Sequence, residues 1–246
     1  MQNNSNSKSV STGDRINDFV QRNRAAIFII MGVIIFMFVG LVTYLSLSDY
    51  LQKKAIAEVE ELNRRFTDLH LDHDHNEEDA HEFADAGSAE VQALLEELEA
   101  FAKRNQGFAG AKAWSLVGHI YTRREDWPQA EDAWLNAAKK GNRTYLSPIS
   151  FFNAAAAAEE QGRLEQAVEY YGKSVSHPFA FAAAPRAQFA VGRLNETLEN
   201  FPAAIEAYRA VMIKWPNIDV WVNLAQSRIA VLEAGQSRAA DDTEAR

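Results

Sequence analysis

Hydrophobic residues in this chain form one unbroken block and are then dispersed at helical intervals. Residues 25–48 carry no charge, and the stretch IFIIMGVIIFMFVGLVTYL within them is dense in Ile, Val, Phe and Met. About 20 such residues cross a bilayer core as an α-helix. A helix buried in a soluble core would show a polar face over this length, and none is present. A signal peptide cleaved at Ser46-Leu47-Ser48 is the rival reading. The apolar run exceeds the ~7–15 residues of a signal core, so the segment is read as an uncleaved transmembrane anchor.

Beyond the block the intervals change. Ala55, Val59, Leu62, Phe66 and Leu69 recur at alternating steps of four and three, a heptad seam on a helix predicted over 49–71. The seam covers about two heptads, short of what a coiled coil needs, so self-association through 55–69 and packing on the chain's own domain both stand. From residue 88 the chain is almost wholly helix-forming, Ala-rich and amphipathic, with turns marked by Gly, Asn or Pro. Residues 88–103 and 219–234 are expected to be flanking helices. The segments YLSP and HPFAFAAAP are expected to be connections between units.

Within this region QAEDAWLNAA, QAVEYYGKSV and AAIEAYRAVM align. They superpose Ala130, Ala167 and Ala204, with 167 − 130 and 204 − 167 both giving 37. Four positions after each Ala stands a ring, Trp134, Tyr171 or Tyr208, one turn along the same face. The small residue lets two helices approach and the ring fills the space beside it. Pro128 and Pro202 precede two of these helices in equivalent register, where the missing N–H costs nothing.

The first unit also carries Trp114, Val117, Gly118 and Tyr121 on one helix, followed by Ala130, Trp134 and Ala137 on the next. This pattern resembles the tetratricopeptide repeat, with Asn142 in place of the final Pro. The second unit offers Phe151, Ala154, Ala155, Ala158, Ala167, Tyr171 and Ser174. The third offers Gln188, Val191, Gly192, Asn195, Ala204, Tyr208, Val211 and Pro216. The family period is about 34 residues, so a step of 37 implies lengthened connections. The resemblance implies an all-α fold, an N-terminal transmembrane helix followed by a solenoid of about three helix pairs plus flanking helices. The expected divisions are a disordered cytoplasmic tail (1–24), the transmembrane helix (25–48), a membrane-proximal helix (49–71), a His and acidic linker (72–87), the repeat domain (88–234) and a disordered tail (235–246).

By family geometry the first helices line a groove, and the residues expected to face it are Lys112, Ser115, His119, Phe152, Asn153, Ala156, Arg186, Phe189 and Arg193. Exposed rings among cations suit a protein or peptide segment carrying apolar and acidic groups. The family's clamp for a C-terminal carboxylate is absent, since Ser115, His119 and Ala190 occupy positions where it has Lys, Asn and Arg or Lys.

Charge and composition narrow the chemistry. A net charge of −9 repels phosphate backbones, so nucleic acid is not an expected partner. With no Cys, disulfides and thiolate chemistry are excluded. Residues 68–82, DLHLDHDHNEEDAHE, gather His among carboxylates, and His73 and His75 are candidate metal ligands. No ligand spacing specific to a metal site is present, so the tract reads as a solvated linker and no cofactor is expected. A phosphate-cradling Gly loop and a nucleophile elbow are likewise missing, and the chain reads as a non-enzyme.

Lys8, Arg15, Arg22 and Arg24 precede the apolar block, and Lys53 and Lys54 follow it, which favours a cytoplasmic N-terminus and a translocated repeat domain. The layout is similar to single-span periplasmic tetratricopeptide proteins of the bacterial inner membrane that accompany the Sec translocon. That similarity implies an envelope scaffold or chaperone-assisting adaptor, with translocation or envelope-assembly machinery as partner. An oligomeric structural envelope protein, and a metal-binding protein acting through the linker, are the alternatives.

Overall fold

The computed structural model describes residues 12–71 and 88–244. All regular elements among the described residues are α-helices: α1 (Thr12–Leu71), α2 (Ala89–Arg104), α3 (Gly107–Arg123), α4 (Trp127–Lys140), α5 (Leu146–Glu160), α6 (Leu164–Ser176), α7 (Ala184–Thr197), α8 (Phe201–Lys214) and α9 (Asp219–Glu244). The chain divides into two units, residues 1–54 and 55–246.

The first unit holds one helix long and apolar enough to cross a membrane. Its most apolar 18-residue window has a mean hydropathy of 3.0, and none of that window is buried. The tail expected to be disordered over 1–24 is helical from Thr12 onward. Extending an existing helix adds one hydrogen bond per residue without a new nucleus, and no Pro interrupts this stretch. For the same reason 49–71 is no separate element but the continuation of α1. At the other end α9 runs to Glu244, so residues 235–244, expected to be a disordered tail, are helical. Gly235 lies inside this helix and does not end it.

In the second unit the seam on α1 is covered. Val59 and Leu62 are buried in one cluster with Val91, Leu94, Leu98 and Phe101 of α2 and Val117 and Ile120 of α3, and Ala55, Phe66 and Leu69 pack against it. Ion pairs Arg65–Glu97 and Arg104–Glu58 flank the contact. The self-association surface expected over 55–69 is thus spent on the chain's own domain. Short heptad runs gain more from a covalently tethered neighbour, whose effective concentration is high, than from a second chain.

Helix α2 starts at Ser88, whose hydroxyl accepts from the Val91 N–H at 3.3 Å. From there each helix packs chiefly on its neighbours in sequence, giving the pairs α3/α4, α5/α6 and α7/α8 between α2 and α9. This is the expected arrangement of three helix pairs with flanking helices. The connection before α5 is displaced from expectation. Leu146, Ser147 and Pro148 of the YLSP segment form its first turn.

The aligned alanines Ala130, Ala167 and Ala204 are fully buried. Opposite each ring lies another small residue. A Cβ added to Gly118 would come within 2.6 Å of the Trp134 ring, and one added to Gly192 within 2.5 Å of the Tyr208 ring. The third member of this set is Ala155, also fully buried. The turn inside each pair repeats as faithfully, with Glu125 (φ 56°), Gly162 (φ 71°) and Glu199 (φ 59°) all left-handed at a step of 37, from 162 − 125 and 199 − 162. Two of the three positions therefore hold a side chain in a conformation that Gly adopts freely.

Two substitutions test these contacts. Gly192→Ala should lower stability by about 1–3 kcal/mol, because the Tyr208 ring must move to admit the methyl group. An unchanged melting temperature by circular dichroism would show that the helices are not in contact there. Gly162→Ala meets open space, so only the backbone opposes it, at about 1–2 kcal/mol. Denaturant unfolding checks this loss, and an unshifted midpoint would remove the left-handed turn.

Candidate partner-binding groove

Phe152 on α5 and Phe189 on α7 hold equivalent places in successive repeats, and each leans on the ring that its own pair buries. Phe152 meets Tyr171 at 5.3 Å between centroids and Phe181 at 6.1 Å. Phe189 meets Tyr208 at 5.1 Å and Trp221 at 5.5 Å. Both are half-buried and pack against the core. The expectation that these rings stand free of the core is therefore corrected. A bare Phe in water gains by covering part of its area on neighbouring rings.

Ser115, the counterpart of these rings in the first repeat, is buried and donates its hydroxyl to the Ala111 carbonyl at 3.0 Å. It does not face an open groove, because a hydroxyl one turn from a helical carbonyl bonds back to it.

Phe152, Ala156, Glu159, Arg186, Phe189, Arg193 and Trp221 line one open cleft of about 330 Å³. The fold thus brings together five of the expected groove side chains, Phe152, Ala156, Arg186, Phe189 and Arg193. The Arg186 guanidinium lies over the Phe152 ring at 5.4 Å. Arg193, in contrast, is tied within the cleft, because it pairs with Glu159 at 2.7 Å.

Glu159 belongs to a ladder. Thr122, Glu159 and Glu196 are spaced at 37, from 159 − 122 and 196 − 159, and each accepts from the ring of its own repeat. Trp134 Nε1 donates to Thr122 at 3.1 Å, Tyr171 Oη to Glu159 at 3.5 Å and Tyr208 Oη to Glu196 at 3.0 Å. The two glutamates also accept from the next element, Glu159 from Arg193 and Glu196 from Arg228. Burial, then the neighbouring glutamate, push Tyr171 and Tyr208 up to about 12, so both phenols remain donors at any working pH.

His119, Asn153 and Ala156 line a second, smaller hollow of about 90 Å³ beside Thr122 and Trp134. The His119 ring is edge-on to Trp134 at 4.7 Å and lies 6.2 Å from Phe66. Lys112 is half-buried and lines neither hollow. The expected linker over 72–87, with His73 and His75, lies outside the described residues. Among the described residues no group of three His, Asp or Glu is placed to hold a metal ion.

Glu159, Glu160 and Trp221, which are not among the residues expected in the groove, also line the cleft. The 37-residue step could have flagged Glu159 as the counterpart of Glu196, but only the contacts reveal why the pair matters.

No family model matches the chain. A protein of Treponema pallidum (strain Nichols), described as a TPR repeat-containing protein, is 32% identical over 234 residues, covering 92% of this chain and 96% of that protein. With the repeated helix pairs and their buried rings, this places the chain in the family of tetratricopeptide repeat-containing proteins.

Proposed function

We propose that the chain is a membrane-anchored scaffold or adaptor of a bacterial envelope, which holds a segment of a partner protein in the cleft between α5, α7 and α9. The observation that carries this reading is Arg186. It is exposed, stacks on Phe152, and among the described residues has no carboxylate partner, beside a half-buried ring on each of two successive repeats. Such a site suits an apolar side chain set between Phe152 and Phe189 with a carboxylate next to it. Membership of the tetratricopeptide family supports protein interaction in general, and the apolar helix supports anchoring. The cation excess before that helix supports a translocated domain, and with it partners in translocation or envelope assembly.

Changing Arg186 to Glu reverses the charge without opening the core. Crosslinking in native membranes followed by mass spectrometry should then lose its acidic partners at unchanged melting temperature. Retention of every partner would exclude the cleft. The double change Phe152→Ala and Phe189→Ala should also weaken capture. Because both rings are half-buried it should cost stability as well, by less than the about 3–5 kcal/mol of a fully buried Phe.

Orientation is tested separately. Protease added outside the cytoplasmic membrane, with the outer envelope opened, should digest the repeats, and survival of the intact domain would reverse the topology.

A further inference from the structure

Helix α9 stands in the register of a fourth first helix. The 37-residue step carries Ala113, Ser150 and Ala187 on to Leu224, and Ile120, Ala157 and Leu194 on to Val231. The earlier members of each set are at most 2% exposed, whereas Leu224 is 44% and Val231 55% exposed. Val220, at 66%, extends the same stripe. Val220, Leu224, Ser227, Val231 and Gly235 follow one another at steps of four, three, four and four, a single face of the helix. Two positions that every repeat buries, those of Leu224 and Val231, are thus left open on the last helix.

What could cover this face is narrowed by its charge. Between 220 and 237 the ionic residues of α9 are Arg228 and Glu233. Both are held within the chain, Arg228 by Glu196 and Glu233 by Arg209 at 2.8 Å. The stripe itself carries no charge, in a chain whose net charge is −9. Two copies of so acidic a protein repel unless the surfaces that meet are neutral. A foreign partner, by contrast, is usually selected by a charged rim. Beside the stripe lies a mostly apolar hollow of about 470 Å³, lined by Phe201, Val231, Leu232, Gly235 and Gln236.

We propose that this face binds a second copy of the chain, two α9 helices crossing antiparallel about a two-fold axis between Ser227 and Arg228. That register sets Leu224 against Val231 of the second copy, and Val220 against Gly235, where the hollow receives it. A two-fold axis makes each of these contacts twice, and the stripe satisfies this self-complementarity. Ser227, small and next to the axis, lets the helices approach closely.

The test uses the full chain in detergent, and the absence of Cys makes single replacements specific. Under mild oxidation S227C should crosslink to twice the mass of one chain, whereas E165C on the exposed face of α6 should not. A mixture of L224C and V231C should crosslink more than either alone, because the two positions face each other across the axis. In sedimentation the unmodified protein should run as a pair, and Val231→Glu, a change at an exposed position, as single chains with an unaltered melting temperature. A single-chain mass for the unmodified protein, or equal crosslinking of S227C and E165C, would overturn the proposal. A pair that survives Val231→Glu would also overturn it and assign association to another surface, such as the apolar helix.

Discussion

In each repeat the first helix reaches the second only because the residue beneath the ring is Gly or Ala. Gly118 lies against Trp134 and Gly192 against Tyr208 so closely that a methyl group would collide. Interhelical distance follows from that contact, and with it the place where each ring's polar tip ends. The tips reach Thr122, Glu159 and Glu196 at corresponding positions. The two glutamates are then placed to accept from an arginine of the following element. Phe152 and Phe189 lean on the same buried rings. The cleft therefore inherits its form from two small residues that do not line it, Ala155 in the pair of Tyr171 and Gly192 beneath Tyr208.

A second interaction joins the repeats away from this ladder. Glu131 on α4 is buried, and an isolated carboxylate there would be costly. It is surrounded by donors from the next repeat: the Arg163 guanidinium, Gln161 at 2.8 Å and Tyr170 Oη at 3.3 Å. Arg163 and Gln161 flank the left-handed Gly162, so the carboxylate grips the turn of the second pair. At the N-terminal end the seam of α1 fills the corresponding role with apolar contacts.

The helix pairs were readable because they are written in residue size. A small residue followed by a ring one turn later leaves a periodic mark, and Ala130, Ala167 and Ala204 proved to be buried as that mark requires. Chemistry at the groove was less readable. Spacing identifies which face a side chain leaves from but not what it meets, so neither the contacts of Phe152 and Phe189 with buried rings nor the pairing of Arg193 is legible in it. The same limit hid Glu159, since a glutamate late in an amphipathic helix looks like ordinary surface until its partners are known. At Thr12 and Glu244 polar composition points to disorder, while continuation of a neighbouring helix decides the outcome.

The ladder is incomplete at one junction. Between the second and third repeats, and between the third and α9, a glutamate and an arginine bridge the groove side. Between the first and second repeats the corresponding residues are Thr122 and Ala156, which cannot form an ion pair. Glu131 holds that junction from elsewhere. Helix α4 packs on α5 more extensively than α6 packs on α7 or α8 on α9, so this joint is held by apolar contact and a buried carboxylate. The two later joints lean more on ion pairs at the surface, which dissolved salt screens. Raising the ionic strength would therefore loosen the stack from its C-terminal end and leave the first two repeats joined.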